Sequence, residues 1–196
     1  MVNGDLPCPR CFAPSIHAHP LYTRRFNSPF GWMLAVADTH SLYLLEFIAR
    51  RNLAQELARL AERLQGQLVF ESNALLEETE QQLIEYARGQ RQQFTLPITL
   101  LGTDFQQQVW HALLAIPYGE TRSYSALAAT LGRPQSTRAV AHANGTNRLA
   151  ILVPCHRLLG KQGALTGYSG GLDCKAQLLT LEQKHHHHSK ITRGSQ

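Results

Sequence analysis

The chain has 196 residues, of which 43% are hydrophobic and 17% charged, an ordinary composition for a globular protein. No apolar run approaches the roughly 20 residues that a membrane span requires, and the N-terminus lacks the layout of a secretory signal. We therefore expect a cytoplasmic protein without a membrane partner. The formal net charge of +5 argues only weakly for a polyanionic partner, because more than half of the excess lies in residues 184–196.

The first 96 residues predict a leader followed by a small α/β unit. Residues 1–20 contain four prolines and predict a flexible leader. Two apolar runs within 27–48, separated by "DTHS", indicate a β-hairpin. Leucines at helical spacing predict a helix over 52–65, and a second amphipathic helix follows a short strand and ends at Gly89. We therefore assign residues 21–96 to an N-terminal α/β domain.

Residues 97–183 predict a mostly helical second domain. The segment 103–119 has a capped start, an apolar face and a helix-stopping "PYG" at its end. The stretches "SYSALAATLG" and "PQSTRAVAHANGTN" predict two short helices separated by "GRP", an arrangement typical of a helix-turn-helix. That pattern alone is weak, because two short helices with a glycine turn often serve only for packing. The polar, aperiodic residues 184–196 predict a disordered tail.

The four cysteines do not make a disulfide framework in a chain of this length. Cys8 and Cys11 have the spacing of a metal or redox pair, but no second pair follows, and a flexible leader is the favoured interpretation. Cys155 ends a buried apolar run, "LAILV", predicted to be a strand. His156 and Arg157 add a base and a cation, and Glu182 can orient a histidine, so a nucleophile competes with a packing thiol.

A glycine-rich segment follows this motif. Five glycines occur between residues 160 and 171, around Leu165 and Tyr168. Glycines permit a close approach of the backbone to another group. An ordinary surface loop would not need the two apolar residues, so we interpret the segment as the wall of a pocket for a flat ligand.

Three motifs in this region together carry a family resemblance. "PCHR" after "NRLAILV", followed by "GALTGYSGGL" and "KAQLLTLE", resembles the O6-alkylguanine-DNA alkyltransferases, especially the alkylguanine-repair half of the bacterial Ada protein and the Ogt type. The resemblance covers residues 25–183, most closely 103–182. It implies an α+β fold, with a small RNase H-like α/β domain before a mostly helical domain that contains the helix-turn-helix.

The resemblance also implies an activity. The protein would flip O6-alkylguanine out of double-stranded DNA through the minor groove and transfer the alkyl group to Cys155, each molecule acting once. O4-alkylthymine would be a weaker substrate. We expect a monomer that requires no cofactor, while a structural metal in the first half stays open.

Residue by residue, the resemblance implies the following roles. Cys155 is the alkyl acceptor, His156 the base acting through a water, and Glu182 the carboxylate that orients this histidine. Asn147 braces the active-site turn, and Tyr124 hydrogen-bonds the flipped base and its phosphate.

Further residues match the DNA contacts and the base pocket. Arg138 would fill the place of the extruded base, and Ser123, Arg148 and Arg157 would be further DNA contacts. The base pocket would be formed by Leu158, Tyr168, Ser169 and Gly170, with the Ser169 amide aimed at the O6 oxygen.

Two alternatives compete with this enzyme. Alkyltransferase-like proteins bind the lesion without chemistry, but they lack the cysteine of the PCHR motif, which this chain retains as Cys155. A cysteine hydrolase would also use a Cys-His pair. It would need an oxyanion hole, for which the sequence carries no separate signal.

Overall fold

The structure is a computed structural model that describes the backbone of residues 19–193 and the side chains of residues 19–186. Cys8 and Cys11, most of the predicted leader, and residues 194–196 lie outside the described residues. Within them the N-terminal half contains strands β1 (His19–Ser28), β2 (Gly31–Ala37), β3 (Leu42–Phe47) and β4 (Gly66–Val69), with helices α1 (Leu53–Leu64) and α2 (Ala74–Ala87).

The four strands form one mixed sheet in the order β3-β2-β1-β4. Strands β2 and β3 pair antiparallel, as the hairpin pattern predicts, and β4 returns parallel to β1 after helix α1. Strand β1 is a further element that the sequence pattern did not reveal, because buried and exposed positions alternate only over part of its length.

Both faces of the sheet are covered. Leu34, Val36 and Leu44 pack with the apolar face of α1, whereas Met33 and Leu45 belong to a larger core that continues into the C-terminal half. A strand buried on both faces carries a continuous apolar run, which explains "MLAVA" in β2. The predicted domain boundary at residue 96 does not interrupt this core, and it stays a prediction.

The C-terminal half contains helices α3 (Asp104–Leu114), α4 (Tyr124–Thr130), α5 (Thr137–Gly145) and α6 (Leu172–Arg193), and short strands β5 (Arg122–Ser123) and β6 (Leu158–Leu159). Helices α4 and α5 form the predicted helix-turn-helix. The indole N–H of Trp110 on α3 donates to the Ala143 carbonyl on α5 at 2.9 Å, which fixes α5 against the core. The predicted α+β fold with its small RNase H-like domain is confirmed.

The edge of β3 holds the segment that leads to Cys155. The Leu45 N–H donates to the Arg148 carbonyl and the Ala150 N–H donates to the Leu45 carbonyl, both at 2.8 Å. The Leu42 N–H similarly donates to Pro97 at 2.8 Å. Both interactions satisfy backbone groups that an open sheet edge would leave unpaired. The N-terminal sheet therefore positions the active-site segment directly.

The prediction of a disordered tail from residue 184 was wrong for residues 184–193, because helix α6 continues to Arg193. His185 and His186 pack closely on the α carbons of Gly89 and Gly119, where a Cβ would find no room. Once a helix is anchored by packed residues, it extends at little cost into polar residues. No described helix is long and apolar enough to cross a membrane.

Candidate active site

Cys155 lies at the start of a short 3₁₀ helix, Cys155–Arg157, and its side chain is buried. The apolar residues before it are not the predicted strand. Only Leu149 bridges to the sheet, and Ile151 adopts a left-handed conformation with φ 71°, which turns the chain. A residue with positive φ cannot continue a strand. The turn therefore presents the thiol within the protein rather than at the end of a ladder.

Asn147 braces this turn and contacts the thiol. Its side-chain amide donates to the Val153 carbonyl at 3.0 Å and to the Cys155 Sγ at 3.2 Å, and its Oδ1 accepts from the Leu149 N–H at 2.9 Å. Burial raises the pKa of Cys155 to about 11, although the Asn147 hydrogen bond opposes this. The thiol is therefore protonated at neutral pH, and its use as a nucleophile requires a proton acceptor.

His156 is the neighbouring base. Its Nε2 lies 2.7 Å from Glu182 Oε1, and both side chains are fully buried. A carboxylate accepts hydrogen bonds, so Nε2 carries the proton and Nδ1 presents a lone pair. Nδ1 has no hydrogen-bond partner among the described residues. Burial lowers the pKa of His156, against the opposing effect of Glu182, so the ring is a neutral base.

Glu182 is surrounded by donors. Besides His156, it accepts from the Tyr86 hydroxyl at 2.5 Å, the Gly119 N–H at 2.9 Å and the guanidinium of Arg157 at 2.9 Å. Burial raises the pKa of Glu182, but the hydrogen bonds and charges of His156 and Arg157 outweigh it and hold the pKa at about 2. Glu182 is thus a fixed anion that orients the imidazole.

Two of these donors are not apparent in the sequence. Gly119 belongs to the helix-stopping "PYG", and its φ of 78° aims its N–H at the carboxylate. Tyr86 resembles any core residue of an amphipathic helix. A third buried group, Lys175, donates to the carbonyls of Leu158 at 2.6 Å and Thr166 at 2.8 Å. Lys175 is seven residues from Glu182, which places both on one face of α6. This spacing in the sequence indicates that the two side chains face the same part of the protein.

Two arginines predicted to contact DNA have partners within the protein. Arg157 is buried, pairs with Glu182 and donates to the Ile116 carbonyl at 2.6 Å. Arg148 pairs with Glu56 at 2.8 Å and donates to the Leu101 carbonyl at 2.6 Å. Arg157 is buried and leaves no accessible surface for a phosphate, so its predicted DNA contact was wrong, whereas Arg148 keeps 24% of its side chain exposed and its DNA contact stays a prediction.

A cavity of about 690 Å³ opens above the thiol. Cys155, Asn147, Tyr124, Tyr168 and Ser169 all line it, so the structure brings these predicted site residues together. The ring of Tyr168 makes edge contacts with both His156 and Phe47, and its hydroxyl has no partner among the described residues.

Gly170 and Leu158 support the cavity without lining it. A Cβ on Gly170 would come within 2.7 Å of the Phe47 ring, so this position requires glycine. Leu158 is fully buried. Its carbonyl accepts from Lys175, which leaves one of its two lone pairs for another donor.

The helix-turn-helix presents a polar surface beside this cavity. Arg138 is exposed near the start of α5, and Ala141, Asn144 and Gly145 at the other end of that helix line the cavity. Asn144 is buried, and its Oδ1 has no hydrogen-bond partner among the described residues. The Ser123 hydroxyl caps α4 by accepting from the Ala126 N–H at 3.0 Å. Helix α5 thus connects the exposed Arg138 with the mouth of the cavity.

No group of three or more histidine, cysteine or acidic side chains able to hold a metal occurs among residues 19–186. Cys174, the second described thiol, is buried, and burial raises its pKa to about 11. It has the properties of a packing residue.

Comparison with known proteins identifies the family. Residues 104–184 match the model of the 6-O-methylguanine DNA methyltransferase DNA-binding domain. The inducible methylated-DNA–protein-cysteine methyltransferase of Bacillus subtilis is 43% identical over 155 residues, covering 78% of this chain and 86% of the relative. The protein of that name from Methanosarcina barkeri is 39% identical over 83% of this chain and 98% of its own length.

Solved structures agree. Mycobacterium tuberculosis OGT in complex with DNA superposes with a TM-score of 0.73 at 38% identity, covering 84% of this chain and 94% of that one. The O6-methylguanine-DNA methyltransferase of Pyrococcus kodakaraensis has the same fold, with a TM-score of 0.62 at 24% identity. The chain, with its buried Cys-His-Glu arrangement below an open cavity, belongs to the methylated-DNA–protein-cysteine methyltransferase family.

Proposed function

We propose that this protein repairs double-stranded DNA by transferring the alkyl group of O6-alkylguanine to the thiol of Cys155, each molecule acting once. The observation that carries the proposal is the position of Cys155, which lies at the base of a cavity while the His156–Glu182 pair lies behind it. The damaged atom is at the pairing edge of the base and cannot be reached within a duplex, so the nucleotide must be flipped into this cavity.

Proton transfer starts the reaction. The thiol is protonated at neutral pH, and the unpaired Nδ1 of His156 can accept its proton through one water. Glu182 stabilises the imidazolium that forms, as a buried carboxylate does for a catalytic histidine in hydrolases. Its interactions with His156 and Arg157 hold its pKa low, so it remains an anion rather than a proton acceptor.

The alkyl group then moves in one displacement. The thiolate sulfur forms a bond to the alkyl carbon as the bond from that carbon to O6 breaks, and the electron pair passes into the purine, which is protonated. Tyr124 and the Ser169 amide are assigned to hydrogen-bond the base as this charge develops. The product is a thioether. No group near Cys155 can reverse an alkyl sulfide, so the molecule is consumed.

Arg138 is assigned to the DNA. It is exposed on α5, from which a side chain can enter the stack and fill the place of the flipped base. The exposed Ala139 and Ala141 allow a close approach of this helix to the minor groove. That groove distinguishes bases poorly, which suits a protein that must find a lesion in any sequence. Monomeric state and cytoplasmic location stay predictions.

The proposal is tested by incubating the protein with duplex DNA that contains O6-methylguanine and measuring its intact mass. We expect a gain of one methylene, confined to the peptide with Cys155 and saturating at one equivalent. Cys155→Ala should bind DNA and gain nothing, whereas the matched variant Cys174→Ala should react like the wild type. An adduct elsewhere, or repeated turnover, would contradict the proposal. DNA binding without transfer by the wild type would favour the lesion-binding alternative.

A further inference from the structure

An ion pair from the N-terminal half, Glu46 and Arg50, reaches the wall of the Cys155 cavity. Glu46 is near the end of β3 with 1% of its side chain exposed, and Arg50 follows in the next turn with 16% exposed. Arg50 lines the cavity. Neither residue has a part in the alkyl transfer described above, although a buried ion pair is costly to form and needs a reason to be there.

Arg50 binds the turn that carries Asn147. Its Nη1 donates to the Asn147 carbonyl at 2.7 Å and its Nη2 donates to the Gly145 carbonyl at 3.1 Å. A guanidinium presents its N–H groups in a rigid planar fork, so two contacts fix the direction of the turn. The Asn147 amide in turn donates to the Cys155 Sγ at 3.2 Å. Asn147 is therefore the only residue between Arg50 and the reacting sulfur in this chain of hydrogen bonds.

Glu46 connects Arg50 to the opposite wall. Its carboxylate pairs with Arg50 and accepts from the Phe47 N–H at 3.0 Å, and the Ser169 side chain lies close enough to oppose the rise in its pKa that burial causes. Ser169 belongs to the glycine-rich loop that lines the cavity. The pair thus ties two walls of one cavity, the Asn147 turn and the Ser169 loop, to the same sheet edge.

The pair is also electrically coupled to the thiol. Burial is the main cause that raises the pKa of Cys155, and among the charged groups Glu46 adds to this effect while Arg50 and Lys175 oppose it. The opposite charges of Glu46 and Arg50 compensate each other only while both are present. Removing Arg50 would leave an anion next to a sulfur that must become a thiolate.

We propose that Glu46 and Arg50 are positioning residues for the transfer, holding the Asn147 turn and the Ser169 loop at the separation in which a flipped base meets the thiol. The inference rests on the proposed function. It assigns the N-terminal half a direct part in the rate of alkyl transfer, separate from DNA binding, which is assigned to α5. A small displacement of reacting groups is sufficient to slow a reaction on the order of 100-fold.

The test compares the transfer rate with DNA affinity in four variants: Arg50→Met, Arg50→Lys, Glu46→Gln, and the double variant Glu46→Gln/Arg50→Met. Single-turnover transfer from an O6-methylguanine duplex gives the rate, and fluorescence anisotropy gives the dissociation constant. We expect Arg50→Met to slow transfer on the order of 10- to 100-fold while the dissociation constant changes by less than about 3-fold. Arg50→Lys should recover part of the rate, since one ammonium can hold one of the two carbonyls.

The double variant reports whether the pair acts as a unit. If it does, Glu46→Gln/Arg50→Met should be no slower than the slower single variant. Arg63→Met, on the exposed face of α1, is the matched control and should transfer at the wild-type rate. Circular dichroism and melting curves establish which variants are folded. Glu46→Gln and Arg50→Lys preserve size and hydrogen-bonding ability, so they keep the test valid if Arg50→Met is unstable.

Three results would overturn the inference. The first is transfer at the wild-type rate by folded Arg50→Met and Glu46→Gln variants. The second is a fall in rate and affinity by the same factor. The third is multiplication of the two single losses in the double variant. A wild-type protein that forms no adduct at Cys155 would instead refute the proposed function. The two failures are therefore distinguishable.

Discussion

The protein differs in burial and hydrogen bonding on the two sides of Cys155. Behind the thiol, Glu182 is fully buried and accepts hydrogen bonds from His156, Arg157, Tyr86 and Gly119. In front of it, a cavity opens whose walls include Asn144 and Tyr168, and the side-chain oxygens of both residues are buried and lack partners among the described residues. The closed side has a fixed charge distribution that can receive a proton, whereas the open side provides the space that a base requires.

This contrast explains how a thiol with a raised pKa can serve as a nucleophile. A buried neutral thiol is inert. It reacts only when a flipped nucleobase occupies the cavity and His156 can take up the thiol proton. Preorganised groups need no rearrangement at the moment of reaction, which is where most electrostatic catalysis arises. Three substitutions and a change of pH test this difference between the closed and the open side.

The largest effect is expected from Glu182→Gln, on the closed side. The substitution leaves Arg157 buried without its counter-charge, which costs about 3–5 kcal/mol of unfolding free energy. It also removes the anion that stabilises the imidazolium of His156, so transfer should slow as well. Chemical denaturation and single-turnover assays measure the two effects. Glu120→Gln, at an exposed surface pair with Arg122, is the control and should change stability by less than about 1 kcal/mol.

Acid should unfold the protein through the same cluster. The pKa of Glu182 is about 2 in the folded protein, below its ordinary value of 4.5, so its stabilisation is complete above about pH 4.5 and is lost as the pH falls toward 2. The loss should be on the order of 3 kcal/mol. Denaturation curves between pH 6 and pH 2 measure it. Tyr86→Phe, which removes one donor, should reduce this pH dependence, and an unchanged slope would contradict the assignment.

Arg138→Ala tests the open side at the DNA. We expect transfer from duplex DNA to slow by about 10- to 100-fold, since the extruded base leaves an unfilled stack. Reaction with free O6-benzylguanine, which needs no flipping, should change by less than about 3-fold. Parallel single-turnover assays compare the two substrates. Equal losses on both would remove the flipping role from Arg138.

The smallest effect is expected from Arg148→Met. Because Arg148 pairs with Glu56 in the structure, its replacement should leave the DNA dissociation constant within about 2-fold of the wild type. The salt dependence of binding should also be unchanged, whereas loss of a true phosphate contact would reduce the slope by about one. Anisotropy titrations over a range of salt concentrations distinguish these outcomes. A reduced slope would show that Arg148 does contact a DNA phosphate.

Much of the site was predictable because its residues are close together in the chain or carry a specific motif. "PCHR", the glycine-rich loop and Glu182 indicated the acceptor, the base and the carboxylate. The helix-turn-helix was also predictable from two short helical patterns around Gly132. The partners of these residues were not, since Tyr86 lies 96 positions from Glu182 and Arg50 lies 97 positions from Asn147.

From the sequence alone, periodicity predicted the short helices on either side of Gly132, and the family resemblance carried by "PCHR" and the segments after it implied the roles of Cys155, His156 and Glu182, because periodicity and motifs are local properties of the chain. Which cations have internal partners could be seen only in the folded protein. Arg138, Arg148 and Arg157 look alike in the sequence, yet Arg148 and Arg157 are paired with Glu56 and Glu182 while Arg138 is exposed. The physical reason is that the state of a charge depends on which opposite charges the fold brings within a few ångströms of it.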